Sequence, residues 1–186
     1  MSAHRHSALP WAVRRTRLPL LALRCTSCPS SRATTGDGRF RVNANGRLLD
    51  VWLLADCVSC GRTNKLTVHD RVPVRSLRAG LLAGYSANAN PLVMEALLDP
   101  SVARRNRFAL DWDGCWELHA PAVSEDPWPL QITVTFDDPV PVRPERLIAH
   151  GLGISRNEVA RRVKIDIPLN HRTRLDFSFV LMRSVQ

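Results

Sequence analysis

Apolar and polar positions alternate in the first half of the chain and predict β-strands. Residues 39–43 alternate, residues 48–55 form a β-rich run that includes Val51 and Trp52, and residues 65–69 alternate again. Successive side chains of a strand point to opposite faces, so such stretches bury one face. Asn45-Gly46, between the first two stretches, is typical of a hairpin turn. The pattern predicts a small three-stranded sheet.

A short apolar run at residues 18–23 follows Arg14, Arg15 and Arg17. This order superficially resembles a signal peptide, but the run is shorter than the roughly 7–15 residues that such a segment needs. We therefore expect a strand that enters the domain here, and a flexible tail over residues 1–10. Without a signal peptide the chain is expected in the cytoplasm, where thiols stay reduced.

The pattern becomes helical between residues 76 and 110. Asn90-Pro91 and Asp99-Pro100 each place a capping residue before a proline, which predicts two helices that begin at these positions. Three arginines near the end of the second helix suit the negative end of its dipole. They are Arg104, Arg105 and Arg107. A basic binding face is an alternative interpretation of these arginines.

The last part of the chain predicts a small α/β module. Residues 131–136 alternate as a strand, and a short helix is expected over residues 145–150. Ser155-Arg156-Asn157-Glu158 is a capping box, so a second helix is expected from Ser155 to about Lys164. Further strands are expected over residues 165–169 and 175–182.

Composition places the chain among globular proteins. Its 186 residues are 45% hydrophobic and 23% charged, which permits a packed core and argues against wholesale disorder. No apolar run approaches the ~18 residues of a membrane span, so we predict no membrane partner. The net charge is +9, yet residues 111–140 hold seven acidic and no basic residues. Any phosphate-binding face must lie outside that segment.

The five cysteines carry the strongest chemical signal. Four of them form two Cys-x-x-Cys pairs, Cys25/Cys28 and Cys57/Cys60. Each pair can place two thiolates on one ion, and two pairs complete a tetrahedral structural Zn²⁺ site. A redox pair, two disulfides and an iron–sulfur cluster are the competing interpretations. We predict structural zinc, because two matched pairs and a reducing compartment favour a metal.

These features together predict an α+β chain. A zinc-ribbon-like domain spans residues 11–75, a helical linker spans 76–110 and an α/β module spans 111–186. A small sheet lacks the core to fold alone, so the metal is expected to supply stability.

The residues of this first domain resemble a known family. The stretches Phe40-Arg41-Val42-Asn43-Ala44-Asn45-Gly46 and Leu49-Asp50-Val51-Trp52-Leu53, followed by the second cysteine pair and Leu66-Thr67-Val68, resemble the bacterial domain of unknown function 1062. The resemblance is close over residues 11–75 and looser beyond. It implies cytosolic proteins of similar length with the same paired cysteines, and no particular activity.

The segment from 142 to 182 resembles the S4 RNA-binding domain, with two short helices followed by strands. The resemblance is incomplete, because the usual glycine after the second helix and a Val-Asn-Gly turn are missing. The same helix pair also resembles a helix-turn-helix that faces a DNA groove. In either case four basic residues are candidate phosphate contacts. They are Arg156, Arg161, Arg162 and Lys164.

No catalytic signature is present in the sequence. It lacks a Walker loop, a dinucleotide glycine fingerprint, a His-Glu-x-x-His motif and a Gly-x-Ser-x-Gly elbow. We interpret Cys115 as a small buried hydrophobe. His69 beside Asp70, and His119 near Glu117, are interpreted as core or surface histidines. No enzyme activity or small-molecule substrate is therefore predicted.

The leading functional hypothesis is a non-enzymatic, zinc-binding protein that binds RNA or associates with the ribosome. The second hypothesis is a protein–protein interaction adaptor, which requires an exposed apolar patch. The third is a helix-turn-helix DNA regulator, which is expected to dimerise.

Overall fold

The computed structural model describes residues 8–122 and 128–183, and within them the chain is a mixed α+β fold with two five-stranded sheets. The strands are β1 (Leu9–Arg15), β2 (Leu20–Ala22), β3 (Arg32–Asn45), β4 (Leu48–Cys57), β5 (Thr63–Pro73), β6 (Ala109–Asp111), β7 (Trp116–His119), β8 (Leu130–Phe136), β9 (Val163–Ile165) and β10 (Phe177–Leu181). The helices are α1 (Ala79–Ser86), α2 (Asn90–Leu98), α3 (Pro100–Asn106), α4 (Pro144–Leu152) and α5 (Arg156–Arg162), with a 3-10 helix at Val74–Ser76. None of the helices in the described ranges is both long and apolar enough to cross a membrane.

The chain divides into two compact units. The cysteine unit is Leu18–Asp113, and the helix-pair unit combines residues 8–17 with the described part of 114–183. This division differs from the predicted boundaries after residues 10, 75 and 110. Strand β1 pairs with β7 and β8 of the C-terminal half, so residues 11–17 leave the predicted zinc-ribbon-like domain.

The predicted flexible tail also differs from the structure where it is described. Leu9 and Pro10 belong to β1, and Trp11 is fully buried. Residues 1–7 of that predicted tail lie outside the described residues.

The cysteine unit is built on an antiparallel sheet in the order β5-β4-β3-β2-β6. The three predicted strands are present as β3, β4 and β5, and β2 and β6 extend the sheet to five. Burial alternates along β4 without interruption, as the period of a half-buried strand requires. Leu49, Val51, Leu53 and Ala55 face the core, whereas Trp52 lies on the opposite face.

The helices of the predicted linker cover this core and do not act as a linker. Val93 and Leu97 of α2 and Val102 of α3 pack with Leu21 and Leu53 of the sheet. The predicted helix beginning at Asn90 is present as α2, but its N-cap residue is Ala89 and Asn90 does not cap it. Asp99 caps α3 as predicted, by accepting the Ser101 N–H at 2.7 Å. The region is therefore the second layer of the cysteine unit.

Strand β5 is an edge of this sheet, and a side chain partly covers its free backbone groups. Asn106, the last residue of α3, accepts the Thr67 N–H at 2.7 Å and donates to the Thr67 carbonyl at 3.0 Å. The amide thus replaces a neighbouring strand for one residue, and Arg105 donates to the Val68 carbonyl at 3.4 Å. These contacts hold α3 along the edge.

The helix-pair unit has a mixed sheet in the order β7-β1-β8-β10-β9, with β1 parallel to β8. Helices α4 and α5 accompany this sheet, and Leu147, Ile148 and Val159 bring their apolar sides into the buried core. The predicted capping box is present, because Ser155 Oγ accepts the Glu158 N–H and Glu158 accepts the Ser155 N–H. Helix α5 ends at Arg162, and β9 begins directly after it.

Helix α4 contacts the sheet through a glycine. A Cβ atom at Gly151 would lie 2.5 Å from Cη2 of the buried Trp11, whereas a Cβ at Gly80 in α1 would meet nothing within 4 Å. We expect Gly151→Ala to lower the free energy of unfolding by about 1–3 kcal/mol, because the indole cannot move away in a packed core. Gly80→Ala should be neutral or stabilising by up to ~1 kcal/mol, because alanine favours helix. Urea unfolding of both variants measures this, and equal midpoints for the two would contradict the close packing of α4.

Candidate metal centre

The two cysteine pairs lie in two connections at the same end of one sheet. Cys25 and Cys28 are in the β2–β3 connection, whereas Cys57 is the last residue of β4 and Cys60 is in the β4–β5 connection that follows it. Strands β2 to β5 are consecutive neighbours and antiparallel, so both connections emerge on the side away from the β3–β4 hairpin. The four Sγ atoms lie within 4.8 Å of one another.

The shortest sulfur distances join the two pairs to each other. Cys25 Sγ is 3.6 Å from Cys60 Sγ, and Cys28 Sγ is 3.6 Å from Cys57 Sγ. Four thiolates around one Zn²⁺ at ~2.3 Å are about 3.8 Å apart in a regular tetrahedron. The donor set therefore fits a single tetrahedral ion, and the four cysteines are positioned to bind one metal ion.

Backbone groups shape both connections around the sulfurs. The Ser27 N–H donates to Cys25 Sγ at 3.3 Å. In the second connection, the Gly61 N–H donates to the Cys57 carbonyl at 2.9 Å, and Gly61 has φ +70°. Because a side chain disfavours that conformation, glycine directly after the cysteine pair is what the turn requires.

These backbone groups favour thiolates at two of the positions. The N–H groups of Cys60 and Ser59 lower the pKa of Cys57 to about 6. The Ser27 N–H similarly lowers the pKa of Cys25 below its ordinary value. Thiolate is the form that binds metal, so Cys57 is prepared to act as a ligand near neutral pH, and the lowered pKa of Cys25 favours the same form.

At a third cysteine the surroundings oppose the thiolate form. The Ser30 N–H acts to lower the pKa of Cys28, but burial and its three sulfur neighbours outweigh this and raise the pKa to about 12. Four negative charges within 4.8 Å repel one another, so protein groups alone do not keep all four ionised. A divalent cation removes this conflict.

Three basic residues lie close in sequence to the cysteine pairs. Arg24 and Arg62 are exposed and adjacent in sequence to the cysteine pairs. Lys65 places its Nζ 4.9 Å from the ring centroid of Trp52, on the sheet face opposite the core. Lys65 is therefore engaged with an aromatic ring beside the site.

The other candidate residues from the sequence do not join this site. Cys115 is fully buried in the helix-pair unit, consistent with its interpretation as a small hydrophobe. His119 Nε2 lies 2.7 Å from Glu117 Oε1 on an exposed part of β7.

His69 has a partner that sequence reasoning missed. Its Nε2 lies 3.0 Å from the hydroxyl of Tyr85, sixteen residues further along in α1. Burial, aided by Arg105, lowers the pKa of His69, and this favours a neutral ring. No local spacing signals such a contact, because it depends on α1 folding back over the sheet.

The four predicted nucleic-acid residues are placed differently from one another. Arg162 is half-buried, donates to the Met182 carbonyl at 3.3 Å and lies over the Trp128 ring. Arg156 Nη1 is 3.9 Å from Glu145 Oε1. Arg161 and Lys164 are exposed, on α5 and on the edge strand β9. Two of the four are thus already engaged within the unit, and nucleic-acid binding by this set stays a prediction.

Comparison with protein families agrees with the resemblance in the sequence. The family model described as "Protein of unknown function (DUF1062)" matches residues 42–171. The chain belongs to the DUF1062 family. No curated protein and no solved structure matches the DUF1062 protein.

The matched region differs from the predicted extent of the resemblance. It begins at residue 42, so it includes Cys57 and Cys60 but not Cys25 and Cys28. It also continues through α1–α5, well beyond residue 75. The family match thus spans most of both units of the DUF1062 protein. The resemblance of residues 142–182 to the S4 RNA-binding domain stays a prediction.

We expect Cys57→Ser to abolish stoichiometric metal binding, because the serine hydroxyl is not ionised at neutral pH and is a poor ligand. The free energy of unfolding should fall by about 4 kcal/mol or more if the metal holds both connections. Elemental analysis and thermal unfolding measure the two effects. Cys115→Ala is the matched control, because it removes a thiol outside the cluster and should keep one metal per chain. Full metal content in the Cys57 variant would refute the assignment of this ligand.

Proposed function

We propose that this DUF1062 protein is a cytoplasmic, non-enzymatic RNA-binding protein whose fold depends on one structural Zn²⁺. The observation that carries the zinc assignment is the convergence of Cys25, Cys28, Cys57 and Cys60 within 4.8 Å. The arginine surplus of the chain carries the RNA assignment. Ribosome association is one form of this activity.

Zinc is the proposed metal because the spacing suits one ion. An iron–sulfur cluster places several irons and sulfides between the thiolates and so needs them further apart. A disulfide requires sulfurs at about 2.05 Å, and the closest sulfurs here come from opposite pairs at 3.6 Å. Zinc also has no redox chemistry, which suits a site that joins two turns.

A structural role follows from the ligand count. Four cysteines fill all positions of a tetrahedral ion and leave none for water or substrate. Arg24 and Arg62 are exposed beside the cysteines and reduce the net negative charge of a zinc–tetrathiolate. The proposed function therefore assigns folding, not catalysis, to this metal.

RNA is favoured over a protein partner by the surface of the described residues. Their exposed large hydrophobic residues are Val58 and Leu175, which lie in different units. An adaptor needs a contiguous apolar patch, and two separate side chains do not form one. The net charge of +9 suits an anionic partner instead.

A helix-turn-helix regulator is less well supported. Helix α5 has seven residues, with Val159 in the core and Arg162 engaged by Met182 and Trp128. A recognition helix must offer several free side chains to base edges. Arg161 is the arginine of α5 with the fewest constraints.

Metal removal tests the zinc assignment. We expect one zinc per chain by elemental analysis, and a chelator should unfold the cysteine unit reversibly, because the apo cluster cannot keep four thiolates. Zinc binding should weaken as the pH falls, since protons compete with the metal for the sulfurs. Bound iron with visible absorbance would indicate an iron–sulfur cluster instead of zinc. A metal-free protein of undiminished stability would contradict the proposal of a structural metal.

RNA binding is tested by the dependence of affinity on salt. A fluorescent single-stranded RNA of roughly a dozen nucleotides should bind the zinc-loaded protein at about 50 mM salt and dissociate steeply towards about 200 mM. Fluorescence anisotropy measures this dependence. Lack of binding at the lower salt concentration would refute the RNA assignment and leave the zinc assignment intact.

A further inference from the structure

One edge of the sheet in the cysteine unit collects arginines from the β3–β4 hairpin, β5, the 3-10 helix, the start of α1 and the end of α3. We call them the β5-edge arginines, and all seven are exposed. They are Arg47, Arg71, Arg75, Arg78, Arg104, Arg105 and Arg107. They come from sequence positions sixty residues apart, so no single charge run in the sequence indicates them.

Two sets of contacts bring these arginines to the same edge. The Asn106 bonds to Thr67 hold the end of α3 against the middle of β5, with Arg105 and Arg107 on either side of Asn106. At the far end of β5, the Val74 N–H donates to the Arg47 carbonyl at 2.9 Å. That bond places the 3-10 helix with Arg75 beside the β3–β4 hairpin.

A bulge between these two ends places Arg71 in an unusual conformation. The pairing of β4 with β5 is irregular between Leu49 and Val51, and Arg71 has φ +48°. Asp50 stabilises this backbone by accepting the Arg71 N–H at 2.8 Å. Bulges of this kind occur where a strand must redirect a side chain, and here the redirected residue is an exposed arginine.

The β5-edge arginines carry charge that the described residues do not neutralise. None of the seven has an ion pair with a carboxylate in the described ranges. The acidic residues nearest in sequence or contact are Asp50, Asp70 and Glu95, while Asp99 caps the start of α3. Seven guanidinium groups therefore exceed the local carboxylates.

The arrangement suits the phosphates of a single nucleic-acid strand. From Thr67 to Pro73, the end of β5, the edge extends roughly 20 Å at ~3.3 Å per residue, which spans several phosphates in a row. Guanidinium groups bind phosphate oxygens in a bidentate manner. Trp52, directly opposite Thr67 in β4 and only partly buried, has Lys65 Nζ 4.9 Å from its ring centroid, so a further cation lies beside the edge.

Duplex DNA fits this edge less well. Reading the major groove requires a helix or a two-stranded ribbon that projects from the protein. Helix α3 instead lies along β5, held there by Asn106. An edge of exposed arginines is more suited to the flexible backbone of a single strand.

We propose that the β5-edge arginines are the surface on which this protein binds single-stranded RNA, in place of the arginines of α5. The inference rests on the RNA-binding function proposed above and assigns its site. This site places RNA binding on the cysteine unit, because α3, β5 and the two connections that hold the cysteines belong to that unit.

The test compares three variants of the full zinc-loaded chain. Arg71→Gln, Arg75→Gln and Arg104→Gln are combined in the edge variant. Arg172→Gln, Arg174→Gln and Arg183→Gln are combined in the control variant, which loses the same charge at exposed positions of the other unit. Arg161→Gln with Lys164→Gln forms the helix variant.

The edge variant should bind the single-stranded RNA probe about tenfold more weakly or worse. Its salt slope should fall by roughly 2, because each lost phosphate contact removes ~0.7. The control and helix variants should keep the affinity of the wild type to within about threefold. Zinc content and thermal midpoint, measured for every variant, ensure that folding is not what changed.

The outcomes separate this inference from the function on which it rests. Wild-type protein that binds RNA while the edge variant binds equally well would overturn the β5-edge site and leave RNA binding in place. Loss confined to the helix variant would return the site to α5. Tighter binding of a duplex DNA of the same length would overturn the choice of RNA, and no binding by the wild type would refute the function and the site together.

Discussion

Mutual repulsion among four sulfurs is the constraint on which the cysteine unit depends. Two connections meet at one end of a sheet, and each brings a pair of thiols to within 4.8 Å of the other pair. Backbone N–H groups favour thiolate at Cys57 and Cys25, while the same neighbourhood opposes it at Cys28. Ionisation is thus favoured at two cysteines and opposed at a third in the same cluster. A bound cation would stabilise the thiolate form at all of them.

Local patterns explain most of what could be predicted from the sequence. Local patterns of this kind are the cysteine spacing, the alternation in β4 and the capping box at Ser155. Each depends on residues close together in the sequence, so it can be recognised without knowledge of the tertiary structure. The turn of the β3–β4 hairpin lies one position further along the chain than predicted. Asn45 pairs with Leu48, so Gly46 and Arg47 form the loop. Such errors in register are small because turn chemistry limits them.

Non-local pairing explains what could not be predicted. Strand β1 lies between β7 and β8, whose residues are more than a hundred positions away, and nothing in residues 9–15 specifies those partners. Trp52 lies on the face of β4 opposite the core, because its position has the opposite parity to the buried residues of that strand. Arg14 and Arg15 pair with Asp137 and Asp138, so part of the acidic stretch neutralises the basic N-terminal segment.

The order of the units along the chain has a consequence for synthesis on the ribosome. The cysteine unit is complete once Asp113 has emerged, since both cysteine pairs and all its strands and helices precede that point. Strand β1 emerges first of all, yet its two neighbours follow only after the whole cysteine unit has been made. A nascent chain therefore carries an unpaired apolar strand with Trp11 while the cysteine unit folds behind it. Early metal capture would shorten the interval in which that strand and an unfolded sheet are exposed together, and so would limit misassembly between nascent chains.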